Sequence, residues 1–338
     1  MELYLKHPDW LSPEIIPGFP YFRWYGLMYI VAFITAYLLF VYQVKKKKLE
    51  IDKDTILNAF FWGIVGILIG ARVFYMFFFD PNATILSAPW SLLLPFDKDW
   101  HFTGYQGMNF YGGVVGAVVA LVLYLRYKKQ DILEWGDLLI AGVPLAHTFG
   151  RIGNFINGEL YGRLTTAPWG MIFKDGAVRN ADNPEIKRLA NEVGINIPKG
   201  SLVVNLPRHP TQIYEMLFEC LFIWALIWFI FRNRRPFKGF ILGLYIALYG
   251  LVRFIIDYFR VPLRNEFLIK LGPKSEYPDL LVSPLNISLD QIFSFGMLVL
   301  GIVLILVFKK QADRGKLGPE LTAGKPELRR LRKIADKG

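Results

Sequence analysis

Seven apolar runs, each long enough to cross a lipid bilayer, dominate this chain of 338 residues. A helix needs about 20 mainly apolar residues to span a hydrocarbon core of about 30 Å, and in lipid it must satisfy its own backbone hydrogen bonds. Hydrophobic residues make up 54% of the chain, above the usual share of a soluble domain. We therefore predict an all-α polytopic membrane protein with seven transmembrane helices, approximately at 24–43, 56–78, 111–127, 135–152, 211–231, 238–259 and 286–308.

Lysine and arginine are concentrated in alternate connections between these runs. The second connection, 79–110, carries one lysine against three aspartates. Short connections rich in positive charge stay in the cytoplasm. We therefore predict that the N-terminus lies outside and the C-terminus inside, in agreement with an odd number of spans. The basic residues of the first, third and fifth connections are Lys45, Lys46, Lys47 and Lys48; Arg126, Lys128 and Lys129; and Arg232, Arg234, Arg235 and Lys238.

The surplus of positive charge lies largely at the end of the chain. The net charge is +11, and residues 309–338 hold ten basic and four acidic side chains. Because this stretch follows the last run directly, we predict that 311–338 is a basic cytoplasmic tail in contact with the lipid bilayer. A nucleic-acid partner is not expected, since no aromatic or motif support accompanies the charge. The only cysteine, Cys220, excludes disulfides and a cysteine-based metal site.

One long insert, about 160–208, separates the fourth and fifth runs. Its segment DNPEIKRLANEVG predicts a short helix, N-capped by Asp182 or Asn183 with Pro184 in the first turn, and pieces such as SLVVNL predict extended structure. About fifty residues are too few for a stable separate domain. We therefore predict a small head insert on the outer face, within one transmembrane catalytic domain at 1–310.

Ionisable side chains interrupt several apolar runs. Each costs about 2.5–3.5 kcal/mol near the bilayer centre, so it is retained where it faces a cavity, a partner or a ligand. Arg253 and Asp257 share one helical face, with Arg260 near it. Such arginines can bind a phosphate bidentately, here a phospholipid headgroup, or they can simply pair with carboxylates and hold the helices together. The other ionisable residues are Arg72, Arg151, Glu159, Glu215 and Glu219.

Five blocks of polar and aromatic residues occur in order over about 240 residues: RWYGLMY (23–29), GMNFYGG (107–113), GRIGNFINGELYGR (150–163), RHPTQIYE (208–215) and YGLVRFIIDYFRVP (249–262). GMNFYGG is richer in glycine than helix packing alone would need. Together the blocks resemble the prolipoprotein diacylglyceryl transferases of bacterial inner membranes, whose signature is the block at 150–163. The resemblance implies seven spans with the N-terminus outside and an active site toward the outer leaflet.

The resemblance also implies a reaction. The diacylglyceryl group of phosphatidylglycerol is transferred to the thiol of a lipobox cysteine in a preprolipoprotein, which forms a thioether and releases glycerol phosphate. This is the first step of lipoprotein maturation. Neither a metal nor a soluble cofactor takes part, and the acceptor cysteine belongs to the substrate.

Roles for individual residues follow from the resemblance and from the chemistry. We expect Arg151 and Arg253 to hold the phosphate and to be catalytic together with Tyr25, Tyr111 and Glu159. Tyr111 stands where the family often has a histidine that is viewed as the base, so the base remains open between Tyr111, His147 and His209. The further residues expected to bind substrate are Asn154, Asn157, Gly158, His209, Gln212, Tyr249, Arg260 and Asp257, where the family commonly has glutamate.

A membrane transporter or flippase for an anionic lipid or solute is the alternative function. It would also place arginines inside a helix bundle. It would be expected to show broken helices in symmetric positions or an internal repeat, and neither is apparent in the sequence. Other membrane enzymes that act on phospholipid headgroups are the nearest rival, and the block at 150–163 argues against them.

Overall fold

The structure is a computed structural model that describes most of the chain, including its side chains. The described residues are 4–16, 18, 22–78, 88–92, 94, 96, 99–101, 107–174, 176–262, 267–272, 277, 279–280 and 283–315. They form two compact units, the first within 1–40 and 136–320 and the second within 41–135. Some predictions fall outside the described residues. They concern the tail beyond residue 315 and three charged residues of the second connection, Asp80, Asp97 and Lys98.

Helices account for most of the described chain. In order they are α1 (Trp24–Lys46), α2 (Lys53–Phe78), α3 (Phe110–Tyr127), α4 (Ile132–Ile140), α5 (Val143–Ile156), α6 (Pro184–Glu192), α7 (Thr211–Phe231), α8 (Phe240–Ile256) and α9 (Leu289–Asp313), with a 3₁₀ turn at Pro89–Leu92. Short strands form three two-stranded ladders: β1 (Leu5–Lys6) with β2 (Met171–Ile172), β3 (Arg179–Asn180) with β4 (Val203–Val204), and β5 (Phe267–Lys270) with β6 (Asn286–Ser288).

Five of the described helices are long and apolar enough to cross a membrane, namely α1, α2, α3, α7 and α9. They coincide with five of the seven predicted spans. The sixth predicted span corresponds to α8, which is apolar and has 17 residues. At 1.5 Å per residue it is about 26 Å long, slightly less than the hydrocarbon core. The described chain is therefore that of an all-α membrane protein.

The fourth apolar run consists of two helices rather than one. α4 ends at Ile140 and α5 begins at Val143, after a turn at Ala141 and Gly142. Pro144 lies in the first turn of α5, where its missing N–H leaves no intrahelical hydrogen bond unmade. The prediction of one continuous helix over 135–152 is therefore wrong, because the glycine and proline end one helix and begin another.

α7 changes its winding after its first turn. Thr211–Tyr214 is α-helical, whereas Glu215–Phe222 and Leu226–Phe231 are π-helical. π-Helical turns are rare and occur frequently at functional sites. The apolar pattern of the sequence predicts a helix here but does not distinguish the two windings. The π winding begins at Glu215, which is also the residue where α7 meets the ionic cluster described below.

Glycines bring α2 and α3 into backbone contact in the second unit. A side-chain carbon added to Gly70 would overlap the backbone of Gly112 and Gly116, and one added to Gly116 would overlap that of Gly66. Small residues stabilise pairs of membrane helices in this way. Gly112 of the GMNFYGG block therefore serves helix packing, so the glycine content of that block does reflect packing at this position.

In the first unit, α8 and α9 also pack through small residues. Gly301 of α9 lies against the backbone of Gly243 and Ala247 in α8. The N-terminus of α8 is capped from a distance by Asp137, whose carboxylate accepts hydrogen bonds of 2.9 Å from the N–H groups of Gly239 and Leu242. The apolar core between these helices includes Ala141, Ile223, Ile227, Trp228 and Ile241.

The insert at 160–208 is built around the predicted short helix. Asn183, one of the two predicted caps, accepts hydrogen bonds from the N–H groups of Glu185 and Ile186, and Pro184 is the first residue of α6. β4 comes from the predicted extended segment and pairs antiparallel with β3. Upstream of α1, β1 pairs in parallel with β2, so the N-terminal arm packs on the insert.

Candidate active site

The end of α5 gives the signature block its shape. Gly158 has a φ of +66°, a backbone conformation that glycine adopts without strain. The N–H of Gly158 donates to Phe155 O at 3.0 Å, and the N–H of Glu159 donates to Asn154 O at 3.1 Å. These bonds satisfy carbonyls that the helix end would leave unpaired. As a result the chain turns sharply at Gly158, just after the end of α5, and leaves Glu159 beside Asn154.

Glu215 is the centre of a cluster of ion pairs contributed by three stretches of the chain. Its Oε2 lies 3.0 Å from Arg151 Nη1 of α5, and its Oε1 accepts a hydrogen bond of 2.8 Å from Arg253 Nη1 of α8. Arg260, just beyond α8, donates to the same oxygen. Arginines of α5 and α8 therefore meet at one carboxylate, an arrangement expected both for a phosphate site and for ion pairs that hold the helices together.

A second carboxylate supports the same guanidinium groups one helical turn further along α7. Glu219 Oε1 accepts a hydrogen bond of 3.2 Å from Arg253 Nη1, and its Oε2 is 3.9 Å from Arg151 Nη2. Both glutamate side chains are completely buried, whereas Arg151, Arg253 and Arg260 are 12%, 15% and 19% exposed. The glutamates thus hold the arginines from the protein side and leave part of each arginine accessible.

Polar side chains extend the cluster on the Arg151 side. Arg151 Nη1 donates to Asn154 Oδ1 at 3.3 Å, and Asn154 Nδ2 donates to Glu159 Oε1 at 3.0 Å. Asn157 Nδ2 donates to the same glutamate oxygen at 3.2 Å. The structure therefore brings together Arg151, Asn154, Asn157 and Glu159, all of which are predicted site residues of the signature block.

On the Arg253 side, Asp257 completes the cluster. Its Oδ1 lies 3.0 Å from Arg253 Nε, in the i,i+4 pair expected from helical spacing. With Asp257 included, three arginines face three carboxylates: Arg151, Arg253 and Arg260 against Glu215, Glu219 and Asp257. A cluster of balanced charge can persist in a low-dielectric environment, and an added phosphate would have to share these guanidinium groups.

Two tyrosines that are predicted site residues, Tyr25 and Tyr249, also belong to the first unit. Tyr25 packs against Gly153 of α5, and its hydroxyl is 2.9 Å from that of Tyr29. Tyr249 of α8 lies within electrostatic range of Arg151, Arg253 and Glu219. Tyr25 therefore lies near Asn154 and Glu159, and Tyr249 lies near the arginines, while the part of either residue in the reaction stays a prediction.

His209 and Gln212 lie at the start of α7 and have different surroundings. Gln212 is buried, and its Nε2 donates to the backbone oxygen of Glu159 at 2.6 Å. His209 Nδ1 is 3.0 Å from Tyr214 Oη, which accepts a hydrogen bond of 2.7 Å from Trp169 Nε1. Burial, and secondly the charge of Arg163, lower the pKa of His209 to about 4. His209 is therefore neutral at neutral pH.

The two other candidates for the base belong to different units, His147 to the first and Tyr111 to the second. His147 is one turn before Arg151 on α5 and senses the charges of Arg151, Arg253 and Glu215. Tyr111 belongs to the second unit, in the first turn of α3, where it is half exposed and its N–H donates to Asn109 Oδ1. In that unit Arg72 is buried, and it donates to the carbonyl oxygens of Ser91 and Gly107 at 3.0 and 3.3 Å.

Glu215 and Glu219 are the residues that the predicted site omits. They are noted in the sequence only as ionisable residues of the fifth run, yet in the structure every arginine of the cluster contacts Glu215. The available signal is their spacing of four residues, which places two acids on one helical face in an apolar run. Among the described residues, no group of three or more His, Cys, Asp or Glu side chains is arranged to hold a metal ion.

Fold and cluster together define a helical integral membrane protein with a largely buried cluster of arginines and carboxylates. Comparison with known proteins gives the family. The family model described as prolipoprotein diacylglyceryl transferase matches residues 15–307. The chain belongs to this family.

Curated relatives agree with this assignment over nearly full length. A protein of Treponema denticola is 39% identical over 332 residues, which cover 94% of this chain and 98% of the relative. A protein of Treponema pallidum is 43% identical over 77% of this chain and 82% of its own length. A protein of Chlorobaculum tepidum is 37% identical over 90% of this chain and 93% of its own length. All three are named phosphatidylglycerol–prolipoprotein diacylglyceryl transferase.

Proposed function

We propose that this protein transfers the sn-1,2-diacylglyceryl group of phosphatidylglycerol to the lipobox cysteine of preprolipoproteins. The products are a thioether-linked lipid on the protein and glycerol phosphate. Membership of the family and the names of its relatives support both substrates. The single structural observation that carries the proposal is the meeting of Arg151 and Arg253 at Glu215, with part of each arginine side chain exposed.

The proposed setting is the inner membrane of a bacterium, with seven spans, the N-terminus outside and the active site toward the outer leaflet. Basic residues in the first, third and fifth connections support this orientation. For the fourth span, we propose that α4 and α5 cross the bilayer together, interrupted at Ala141 and Gly142. Nonhelical backbone at that depth is tolerated when it is buried in protein, and both residues of this turn are buried.

The arginines would act on the phosphate of the lipid. In the displacement, the thiolate of the acceptor cysteine attacks the glyceryl carbon, a carbon–sulfur bond forms, and the carbon–oxygen bond breaks with its electron pair leaving on the phosphate. Arg151 and Arg253 would bind that phosphate and stabilise the charge that develops on it. Glu215 and Glu219 fix the two guanidinium groups in advance, so little reorganisation is needed when the lipid binds.

The thiol proton must go to a base before or during the attack. A free cysteine has a pKa near 8.5, which nearby positive charge lowers. We propose that the base is one of three groups, Tyr111, His147 or His209.

The test offers phosphatidylglycerol and a lipobox peptide to the purified protein and follows the mass of the peptide. Arg151→Ala and Arg253→Ala should each abolish the addition of a diacylglyceryl group while the protein still inserts into membranes. Arg188→Ala is the matched control, since the Arg188 side chain is 74% exposed and its ion pair with Glu192 lies on the surface of α6. Near-normal transfer by the Arg151 or Arg253 variants would refute the assignment, and a wild type that moves lipid without modifying the peptide would favour the transporter alternative.

A further inference from the structure

Asp257 has a second contact besides Arg253, and it comes from α9. Ser294 Oγ lies 2.9 Å from Asp257 Oδ2 and donates to it, while Asp257 Oδ1 faces Arg253 Nε at 3.0 Å. Both residues are almost completely buried, with 3% and 2% of their surface exposed. The two carboxylate oxygens of Asp257 are thus held from opposite sides, one by a cation on its own helix and one by a hydroxyl on a neighbouring helix.

The short side chain of Ser294 reaches Asp257 because α8 and α9 pack closely together. A side-chain carbon on Gly250 of α8 would overlap the backbone oxygen of Ser294 and the backbone nitrogen of Leu298. Gly301 makes a similar contact with Ala247 two turns further on. Small residues in both helices therefore set the distance between them, and with it the distance from Ser294 to Asp257.

The Ser294 hydroxyl has two acceptors within reach but only one proton. Its oxygen is also 2.8 Å from the carbonyl oxygen of Asp290, one turn earlier in α9. Bonding back to that carbonyl is ordinary for a serine inside a helix. Donation of the hydroxyl proton to Asp257 is favoured, because hydrogen bonds to charged groups are about twice as strong as those between neutral groups. A buried carboxylate oxygen without a donor is also costly.

We propose that Ser294 is a positioning residue for the transfer reaction, acting through Asp257 on Arg253. Its hydroxyl fixes the rotation of the Asp257 carboxylate, so that the other oxygen holds Arg253 Nε and the Nη groups remain directed toward Glu215 and the phosphate. This inference rests on the proposed function, in which Arg253 binds the phosphate of the lipid. It assigns α9 a direct part in the site, through a residue outside all five sequence blocks of the family.

The test is a double-mutant cycle with Ser294→Ala and Asp257→Asn in the purified full-length protein. We expect Ser294→Ala to lower kcat for peptide modification about tenfold, because it removes one hydrogen bond to a charged group. The KM for the lipobox peptide should be unchanged. In the Asp257→Asn background the same change should have a smaller effect, because the amide oxygen offers the hydroxyl only a neutral acceptor. Ser294→Thr, which keeps the hydroxyl, should retain more activity than Ser294→Ala.

Ser91→Ala is the matched control. Ser91 is also buried, and its hydroxyl donates only to the backbone oxygen of Ala88 among the described contacts. It should leave kcat and KM close to wild type. Equal fractional losses from Ser294→Ala in the wild-type and Asp257→Asn backgrounds would overturn the proposal, as would full activity of Ser294→Ala. A wild type that transfers no lipid would instead refute the proposed function itself, and the role of Ser294 with it.

Discussion

Replacing Glu215 by glutamine tests whether the ionic cluster is the centre of both stability and catalysis. Glutamine has nearly the same shape but no charge. Glu215 faces Arg151 at 3.0 Å, Arg253 at 2.8 Å and Arg260 as well, and it is completely buried. Glu215→Gln therefore leaves three guanidinium groups facing two carboxylates, Glu219 and Asp257, with one positive charge uncompensated.

The expected magnitude follows from these contacts. Removing one partner of a buried ion pair typically costs about 3–5 kcal/mol, so we expect the free energy of unfolding to fall by about that amount. Glu219→Gln should cost less, because among the described residues Glu219 has one ion pair under 3.5 Å, with Arg253, whereas Arg151 is 3.9 Å away. For activity, the glutamine amide keeps one acceptor oxygen and places an NH2 donor where the other oxygen was, so Arg151 or Arg253 loses a bond worth about 1.5–3 kcal/mol, which corresponds to at least about a tenfold lower rate of transfer.

Two measurements check this prediction. Unfolding by increasing mole fraction of dodecyl sulfate in mixed micelles gives the free-energy difference, and the mass of the lipobox peptide gives the rate. Glu192→Gln is the control, because Glu192 pairs with Arg188 at 3.4 Å while 47% exposed, and such surface pairs contribute about 0–1 kcal/mol. If Glu215→Gln unfolded and transferred lipid like Glu192→Gln, the reasoning from the cluster would be refuted.

Two further predictions concern the base and the pH response. Tyr111→Phe should reduce transfer strongly if the Tyr111 hydroxyl takes the thiol proton; a fully active variant, measured by peptide mass, leaves His147 and His209 as the proposed candidates. His209 has a pKa of about 4 when folded and near 6.5 when unfolded, so the unfolded chain binds the proton more tightly and stability falls as pH drops from about 6.5 to 4. His209→Gln should flatten that fall in detergent unfolding curves recorded across this range, and an unchanged slope would contradict the burial of the imidazole.

Several features were predictable because they depend on local sequence. Apolar runs of about 20 residues locate α1, α2, α3, α7 and α9 without reference to any neighbour, since the length of a span is set by the bilayer. The cap of α6 at Asn183 follows from the residues next to it. The i,i+4 pair of Arg253 and Asp257 follows from helical geometry alone.

Other features depend on contacts between distant segments. Hydropathy averages over a window, so it joined α4 and α5 across the turn at Ala141 and Gly142. The choice between α and π winding in α7 is decided by small differences in packing that leave the apolar pattern unchanged.

The composition of the site was also decided by tertiary structure. The sequence identified the arginines, because charge in an apolar run stands out, and the signature block identified Asn154 and Glu159. That Arg151 and Arg253, 102 positions apart, share Glu215 depends on how α5, α7 and α8 pack. Likewise, Ser294 reaches Asp257 only because Gly250 lets α9 approach α8. Residue type and local spacing therefore determined the spans and the charged candidates, whereas helix packing decided which charges meet, since Coulomb and hydrogen-bond energies depend on distances that only the folded chain fixes.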